Sequence, residues 1–471
     1  MSPTMVKIVA LLLSLTLLVA THELGHLAFA KLFHTRVRRY YIFFNWKFSI
    51  LKAKKFGGKW HFRFFNAQTP ESWDEKNLAP EDQNNTLWGL GWIPLGGYCD
   101  IAGMVDETKG ADDLESTPQP WEYRTKPTWQ RLLIICGGIL VNFMSALLIY
   151  ACIFAHWGKD ELPLREASLG YDYHQVLLDE GFINGDIIYS VDGNDVYEFA
   201  DATSTLLLKD PQTVTVLRGD SLVDISIRDG LIERVNHEGP KNLMTARMPF
   251  VVKSLVKGSN AEKAGLVGGD SLVSVNDTMM AAFSDITAVF RQHTNDTVIV
   301  GLYRSGNYMQ LPVLVSESAT IGVYPVTDIP LLFPGYRHRD YTFWQAIPAG
   351  ISHGWKTLVT YVSSLKILFT RGGTKNLGGF IAMGSIFPPY WDWHAFWDIT
   401  ALLALILAFM NIIPIPGLDG GHVMFTLWEM ITGRKPSEKF LTVVQNIGLF
   451  LLLALMIIAN GNDILRLLGL M

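Results

Sequence analysis

At 471 residues, with 49% hydrophobic and 18% charged side chains, the chain is more apolar than an ordinary soluble enzyme and less apolar than a bundle made only of spanning helices. A formal net charge of -5 speaks against a nucleic-acid partner, which needs Lys and Arg concentrated on one folded surface. Cys99, Cys136 and Cys152 lack CxxC spacing, so they point neither to a disulfide framework nor to a thiolate metal site.

Four apolar stretches, at about 5–33, 132–154, 396–413 and 441–459, match the roughly 20 helical residues that a bilayer core takes. The first reads as a retained helix. A cleaved signal peptide would need a basic start and a small-residue cleavage site, whereas Lys7 is the only early charge and apolar character resumes at Leu27 to Phe33. Within this first stretch lies Thr21-His22-Glu23-Leu24-Gly25-His26, the H-E-x-x-H pattern. Residues four apart share one helix face, so both imidazoles reach one metal ion while Glu23, a step round the helix, addresses the water. Charged and polar groups in a spanning helix cost a few kcal/mol, roughly, so their presence points to function.

A basic run from Arg36 to Arg63 follows with no acidic residue in it, and it reads as a solvated or headgroup-facing surface. Lys and Arg are held on the cytoplasmic side. This run, with Arg434, Lys435 and Lys439 between the last two stretches, therefore places both loops in the cytoplasm. Both termini and the segment that begins Lys159-Asp160-Glu161 are then extracytoplasmic.

The polar middle, about 160–335, repeats itself at an offset of 84 residues: Gly181, Phe182, Gly185, Asp186, Ile188, Ser190, Val191 and Asp192 align with Gly265, Leu266, Gly269, Asp270, Leu272, Ser274, Val275 and Asn276. Each copy reads as a short helix, a glycine turn and an alternating strand. These segments resemble PDZ domains, above all the run from Ala261 to Asn276, and the second copy carries the resemblance more fully. Such domains bind extended peptides by strand addition; a size filter is an equal reading, since neither copy shows a clear carboxylate-binding loop. Next, Trp355, Leu358, Val359, Val362, Leu365 and Phe369 recur at helical spacing, an amphipathic helix suited to a membrane interface or to packing on spanning helices.

A metal site built on His22 and His26 needs a third protein ligand, and Asp419 in Asn411-Ile-Ile-Pro-Ile-Pro-Gly-Leu-Asp-Gly-Gly421 is the candidate. The prolines interrupt the helix and the glycines let backbone approach closely. Together the H-E-L-G-H and N-I-I-P-I-P-G-L-D-G-G motifs resemble the site-2 protease family, and the two PDZ-like copies narrow this to the bacterial group that includes the regulator-of-sigma-E protease. The resemblance covers nearly the whole chain and implies Zn2+ bound by His22, His26 and Asp419, with Glu23 as catalytic acid/base. Pro94-Leu-Gly-Gly-Tyr98 is similar to the family's membrane-associated β-loop, which makes Gly96, Gly97 and Tyr98 candidates to hold substrate as an added strand. Gly137 to Phe143 is similar to its Gly-rich, Asn-Phe segment, and Asn142 and Asn411 become candidates for substrate backbone bonds or for polar contacts between helices. Gly378-Gly379 departs from the Gly-Pro that the family often has there.

The expected architecture is a polytopic α-helical membrane protein with four transmembrane helices, a membrane-associated β-loop and two extracytoplasmic PDZ-like α+β domains, divided at 1–158, 159–243, 244–335 and 336–471. The expected activity is zinc-dependent hydrolysis of peptide bonds in transmembrane segments of single-pass membrane proteins, such as anti-sigma factors or remnant signal peptides, in the lipid bilayer of a bacterial inner membrane. The alternative is a non-catalytic membrane scaffold that binds partners through its PDZ-like domains. A metal transporter ranks last, because the second and fourth stretches lack polar residues along a pathway.

Overall fold

The computed structural model describes residues 2–74, 77–94, 96–104, 117–238, 242–369, 373 and 377–469. Leu95, within the Pro94 to Tyr98 segment, lies outside them. The chain divides into two compact units, one built mainly from residues 1–158 and from 340 onward, the other mainly from 159–339. Among the described residues, four helices are long and apolar enough to cross a membrane.

In the first unit, α1 (Pro3–Leu32) starts where the Ser2 side chain accepts the Met5 N–H, and its Pro3 sits where a missing N–H costs nothing. Five strands follow, β1 (Val37–Tyr41), β2 (Ser49–Phe56), β3 (Lys59–Asn66), β4 (Leu87–Leu90) and β5 (Tyr98–Ile101). They form one sheet in the order β3-β2-β4-β1-β5. Among the described residues β5 is thus an edge strand, paired antiparallel with β1 alone, and it lies against α1. α2 (Thr128–Trp157) then packs on α1. The two helices touch backbone to backbone at Gly25 and Gly137: a Cβ on Gly25 would lie 2.3 Å from the Gly137 carbonyl oxygen.

The second unit opens with β6 (Lys159–Glu161), which pairs with the unit's last strand, β19 (Arg337–Arg339), so the segment leaves where it enters. Between them one element order runs twice, the first pass carrying an additional helix before its returning strand. The first pass is β7 (Tyr171–Tyr173), α3 (Gln175–Leu178), β8 (Ile187–Val191), β9 (Asn194–Asp195), α4 (Phe199–Leu208), the hairpin β10 (Thr213–Arg218) and β11 (Ser221–Ser226), α5 (Leu231–Glu238), and β12 (Met244–Ala246) returning to pair with β7. The second pass is β13 (Phe250–Leu255), α6 (Asn260–Lys263), β14 (Ser271–Val275), β15 (Thr278–Met279), α7 (Phe283–Gln292), the hairpin β16 (Thr297–Arg304) and β17 (Asn307–Leu314), and β18 (Val323–Pro325) returning to pair with β13. Short α8 (Ile329–Leu332) leads out to β19.

The sequence repeat is a repeat of contacts. Buried Asp186 accepts from Arg218 at 2.8 and 2.7 Å, and buried Asp270 accepts from Arg304 at 2.8 Å through both oxygens. Each arginine also donates to a turn carbonyl, Gly181 or Gly265, and each aspartate accepts the N–H three residues before it. Burial works to raise the Asp270 carboxyl, but the Arg304 and Val267 donors outweigh it and hold it below the usual carboxylate range. Arg247 links the copies, donating to Asp172 of the first and Asp285 of the second.

The chain returns to the first unit through α9 (Phe343–Ser364), α10 (Phe380–Ile386), α11 (Trp393–Ile412), α12 (Asp419–Thr432) and α13 (Glu438–Leu467). Small residues Ala346, Gly350 and Gly354 form the buried face of α9, and the two glycines lie against Ala151, Leu147 and Tyr150 of α2. Trp355, Val359 and Val362, three residues of the expected apolar stripe, are exposed. α10 is capped from another helix: Asp463 of α13 accepts the Gly379 and Ala382 N–H groups at 3.0 and 2.9 Å.

Candidate metal centre

α1 carries the histidine pair inward because positions 22, 25 and 26 all fall on its buried face. The third donor comes from the break after α11. With no N–H at Pro414 and Pro416, the helix ends at Ile412, and the chain re-enters helix at Asp419, the first residue of α12. A carboxylate in a first helical turn is favoured by the helix dipole. The return needs glycine: a Cβ on Gly420 would lie 2.1 Å from the Ile413 carbonyl oxygen.

The break brings Asp419 Oδ2 to 3.1 Å from His22 Nε2 and 3.4 Å from His26 Nε2, and the two Nε2 atoms are 3.2 Å apart. One donor atom from each of the three residues lies within 4.8 Å of the others. Among the described residues, buried Asp419 Oδ2 has no hydrogen-bond partner of good geometry, so it and the two Nε2 atoms stand together as three donor atoms turned to one point. Two imidazoles and one carboxylate are the donor set that catalytic zinc takes, and a buried oxygen lacking a hydrogen bond at their meeting point fits a bound cation.

α2 supports both rings from behind. His26 Nδ1 lies 2.9 Å from the Ile134 carbonyl oxygen, to which it donates as N–H, leaving Nε2 to face Asp419. His22 Nδ1 lies 3.3 Å from the side-chain amide of Asn142. Gly138, between these two supports, lets the backbone of α2 lie on the imidazoles, since a Cβ there would be 2.5 Å from His26 Nε2. Arg131, at the start of α2, holds α12 through a 2.5 Å ion pair with Glu429, and both side chains are largely buried.

Glu23, half-buried beside His22 on the same helix, lies in the field of His26, His22 and Asp419, and its carboxylate accepts a backbone hydrogen bond from Cys99 in β5. Gly96 and Gly97 lead into that strand. Tyr98 opens it, stacked on Tyr41 with ring centroids 5.1 Å apart, and burial pushes its phenol up to about 12, so it stays protonated and donates to Asn45. Asn411 is buried in the last turn of α11, while Asn142 is wholly enclosed between α1 and α2.

Several groups around the site left no sign in the sequence. Ile134 acts through a backbone carbonyl, and the Arg131 to Glu429 pair joins residues with no motif around them. α12 itself was hidden, because the stretch after Asp419 reads as a connecting loop.

The sequence profile of peptidase family M50 matches residues 10–68 and 75–455. Relatives align along nearly the whole chain. Two carry the name "Putative zinc metalloprotease": one from Neisseria meningitidis is 24% identical, covering 98% of this chain and 99% of the relative, and one from Vibrio cholerae is 24% identical, covering 98% of each. Protease RseP of Yersinia pestis is 26% identical, covering 98% of this chain and 99% of the relative.

Proposed function

Because the chain belongs to peptidase family M50 and is thus a zinc metalloprotease of the site-2 type, we propose that it cuts peptide bonds inside the membrane, in the spanning segments of single-pass proteins. The observation that carries this reading is the convergence of His22, His26 and Asp419 on one point beside an apolar helix long enough to span a bilayer. These three side chains hold the metal. When bound, zinc supplies an acidified water and a polarised scissile carbonyl.

Glu23 accepts the proton of the attacking water and returns it to the leaving amine. Its bond from the Cys99 N–H fixes the carboxylate toward the site and ties β5 to the helix that carries it. A transmembrane helix satisfies its own amides, so a substrate must unwind before its bond is reachable. The edge of β5 not paired with β1 supplies replacement partners, and substrate adds there as a strand beside Gly96, Gly97 and Tyr98. Asn411, at the end of α11, offers a side-chain amide to the unwound backbone.

The bilayer is a bacterial inner membrane. The exposed stripe of α9 and the aromatic residues Trp60, Phe62 and Phe64 of β3 meet lipid. The basic loops lie on the cytoplasmic side, with the second unit and both termini outside. The two copies in that unit are PDZ-like: each closes its first strand with a returning strand after a helix and a hairpin, and they admit substrates already shortened outside the membrane.

Co-expression with tagged single-pass membrane proteins tests the reading. The parent chain is expected to yield a shortened product and Glu23→Gln none, with both retaining zinc. A product of equal yield from Glu23→Gln would leave a scaffold, with the metal structural, as the surviving account.

A further inference from the structure

In both histidines it is Nε2 that faces Asp419, so ligation of a metal by these atoms requires the proton of each ring to sit on Nδ1. His26 meets this requirement by donating to the Ile134 carbonyl oxygen, which accepts and cannot donate. For His22 the partner is the amide of Asn142, which has one end of each kind. With its NH2 toward His22, Nδ1 must accept, the ring proton moves to Nε2, and that nitrogen is lost as a ligand. With its oxygen toward His22, Nδ1 donates and Nε2 is free for the metal. The two ends of such an amide are distinguished only by what surrounds them.

In the structure the amide stands with its NH2 toward His22 Nδ1 and its oxygen toward Thr21, and a half-turn of the amide, which leaves its shape unchanged, exchanges the two ends. Thr21 Oγ1 lies 3.0 Å from the end turned away from His22, and also 3.0 Å from the Leu17 and Leu18 carbonyl oxygens one turn back on α1, either of which takes its hydroxyl proton. When the Thr21 hydroxyl donates to Leu17, its oxygen is left as an acceptor and takes the amide NH2. The chain of donors then runs from His22 Nδ1–H to Asn142 Oδ1, from Asn142 Nδ2–H to Thr21 Oγ1, and from Thr21 Oγ1–H to the Leu17 carbonyl, and every group in it is paired. Asn142 is 0% exposed, so no water competes for either end of the amide.

We infer that Asn142 and Thr21 are positioning residues, which act through His22 by holding its proton on Nδ1 so that Nε2 binds the metal. This rests on the metal assignment above and gives Asn142 a task on the enzyme's own ligand instead of on the substrate. The pair belongs to the outer layer of hydrogen bonds that orients metal ligands, whose loss costs about 10- to 100-fold in metal affinity.

Zinc affinity of the full-length chain in detergent, measured by competition with a chromogenic chelator, tests this without any substrate. Asn142→Asp keeps an acceptor for Nδ1–H, and Asn142→Leu keeps the volume and removes it. The expected result is zinc binding within about threefold of the parent for Asn142→Asp and about 10- to 100-fold weaker for Asn142→Leu, with the visible spectrum of the cobalt-loaded protein preserved only in the former. A purely structural role predicts the opposite order, because a buried carboxylate is harder to accommodate than leucine. Thr21→Val leaves Asn142 in place but takes away the acceptor that orients it, and is expected to weaken zinc binding several-fold even should Asn142→Leu fail to fold. Parent-like affinity in Asn142→Leu or in Thr21→Val, or equal weakening in Asp and Leu, overturns the inference. Failure of the parent to bind zinc overturns the metal assignment itself.

Discussion

Replacing Gly138 with alanine probes how tightly α2 is pressed onto the imidazoles. The added Cβ would lie 2.5 Å from His26 Nε2, 2.7 Å from His22 Cε1 and 2.8 Å from His22 Nδ1, where ordinary contacts are about 3.5–4.0 Å. The rings must retreat by about 1 Å. They have little freedom to do so, because His26 is bonded to Ile134 and His22 to Asn142, both on the helix that carries the new methyl. Metal-ligand distances hold to about 0.2 Å, so a shift of that size pulls the three donors out of register. Overpacking itself costs about 1–3 kcal/mol, which the fold survives. Zinc affinity and turnover are therefore expected to drop by about 100-fold, while the thermal midpoint falls by only a few degrees. The assay is zinc per chain by mass spectrometry after gel filtration in detergent, run beside cleavage of a tagged transmembrane substrate. Gly461→Ala on α13 is the control, since its Cβ would meet nothing within 4 Å. A Gly138→Ala protein with a full complement of zinc and parental turnover would refute the reasoning.

Glu429→Gln strands Arg131 in a largely buried position, at a cost of about 3–5 kcal/mol; because Asp419 opens the same helix, the variant should melt earlier and lose zinc to chelators faster, and unchanged zinc retention would count against the link. Asp270, held below the usual carboxylate range, stabilises the second unit above about pH 4, and this contribution disappears as pH falls through its lower folded-state value. Asp270→Asn is thus expected to lose about 2 kcal/mol at pH 7, with the gap to the parent closing under acid conditions, and melting curves whose separation is constant from pH 7 to pH 2 would contradict the assignment. Asp463→Ala removes the acceptor of two N–H groups at the start of α10 and should cost about 1 kcal/mol; limited proteolysis should then nick the chain near residues 378–386, and a parental digestion pattern would argue that α10 is held by packing alone.

What the sequence made legible was whatever depends on local spacing. The histidine pair follows from the period of one helix, and Asp419 follows from two prolines and three glycines that mark a break in an apolar run. The doubled Asp, Arg and turn-glycine contacts of the second unit were half visible: Asp186 and Asp270 stand in register, but Arg218 and Arg304 do not, since they follow their aspartates by 32 and 34 residues. Apolar spacing marks a bilayer-length stretch at about 441–459 but not where its helix ends: α13 runs on to Leu467, with Asn460 and Asp463 turned to cap α10. The role of Asn142 was out of reach in the same way, for it depends on which atom of another helix the amide touches.

The proposed ligand set draws on residues 22, 26 and 419, which means that during synthesis the two imidazoles emerge hundreds of residues ahead of the carboxylate that would complete them. A growing chain therefore carries a weak two-nitrogen site through most of its translation, and hydrolytic power arrives only once α12 has threaded into place. On that assignment the order of the ligands along the polypeptide by itself delays the chemistry until the fold is nearly closed.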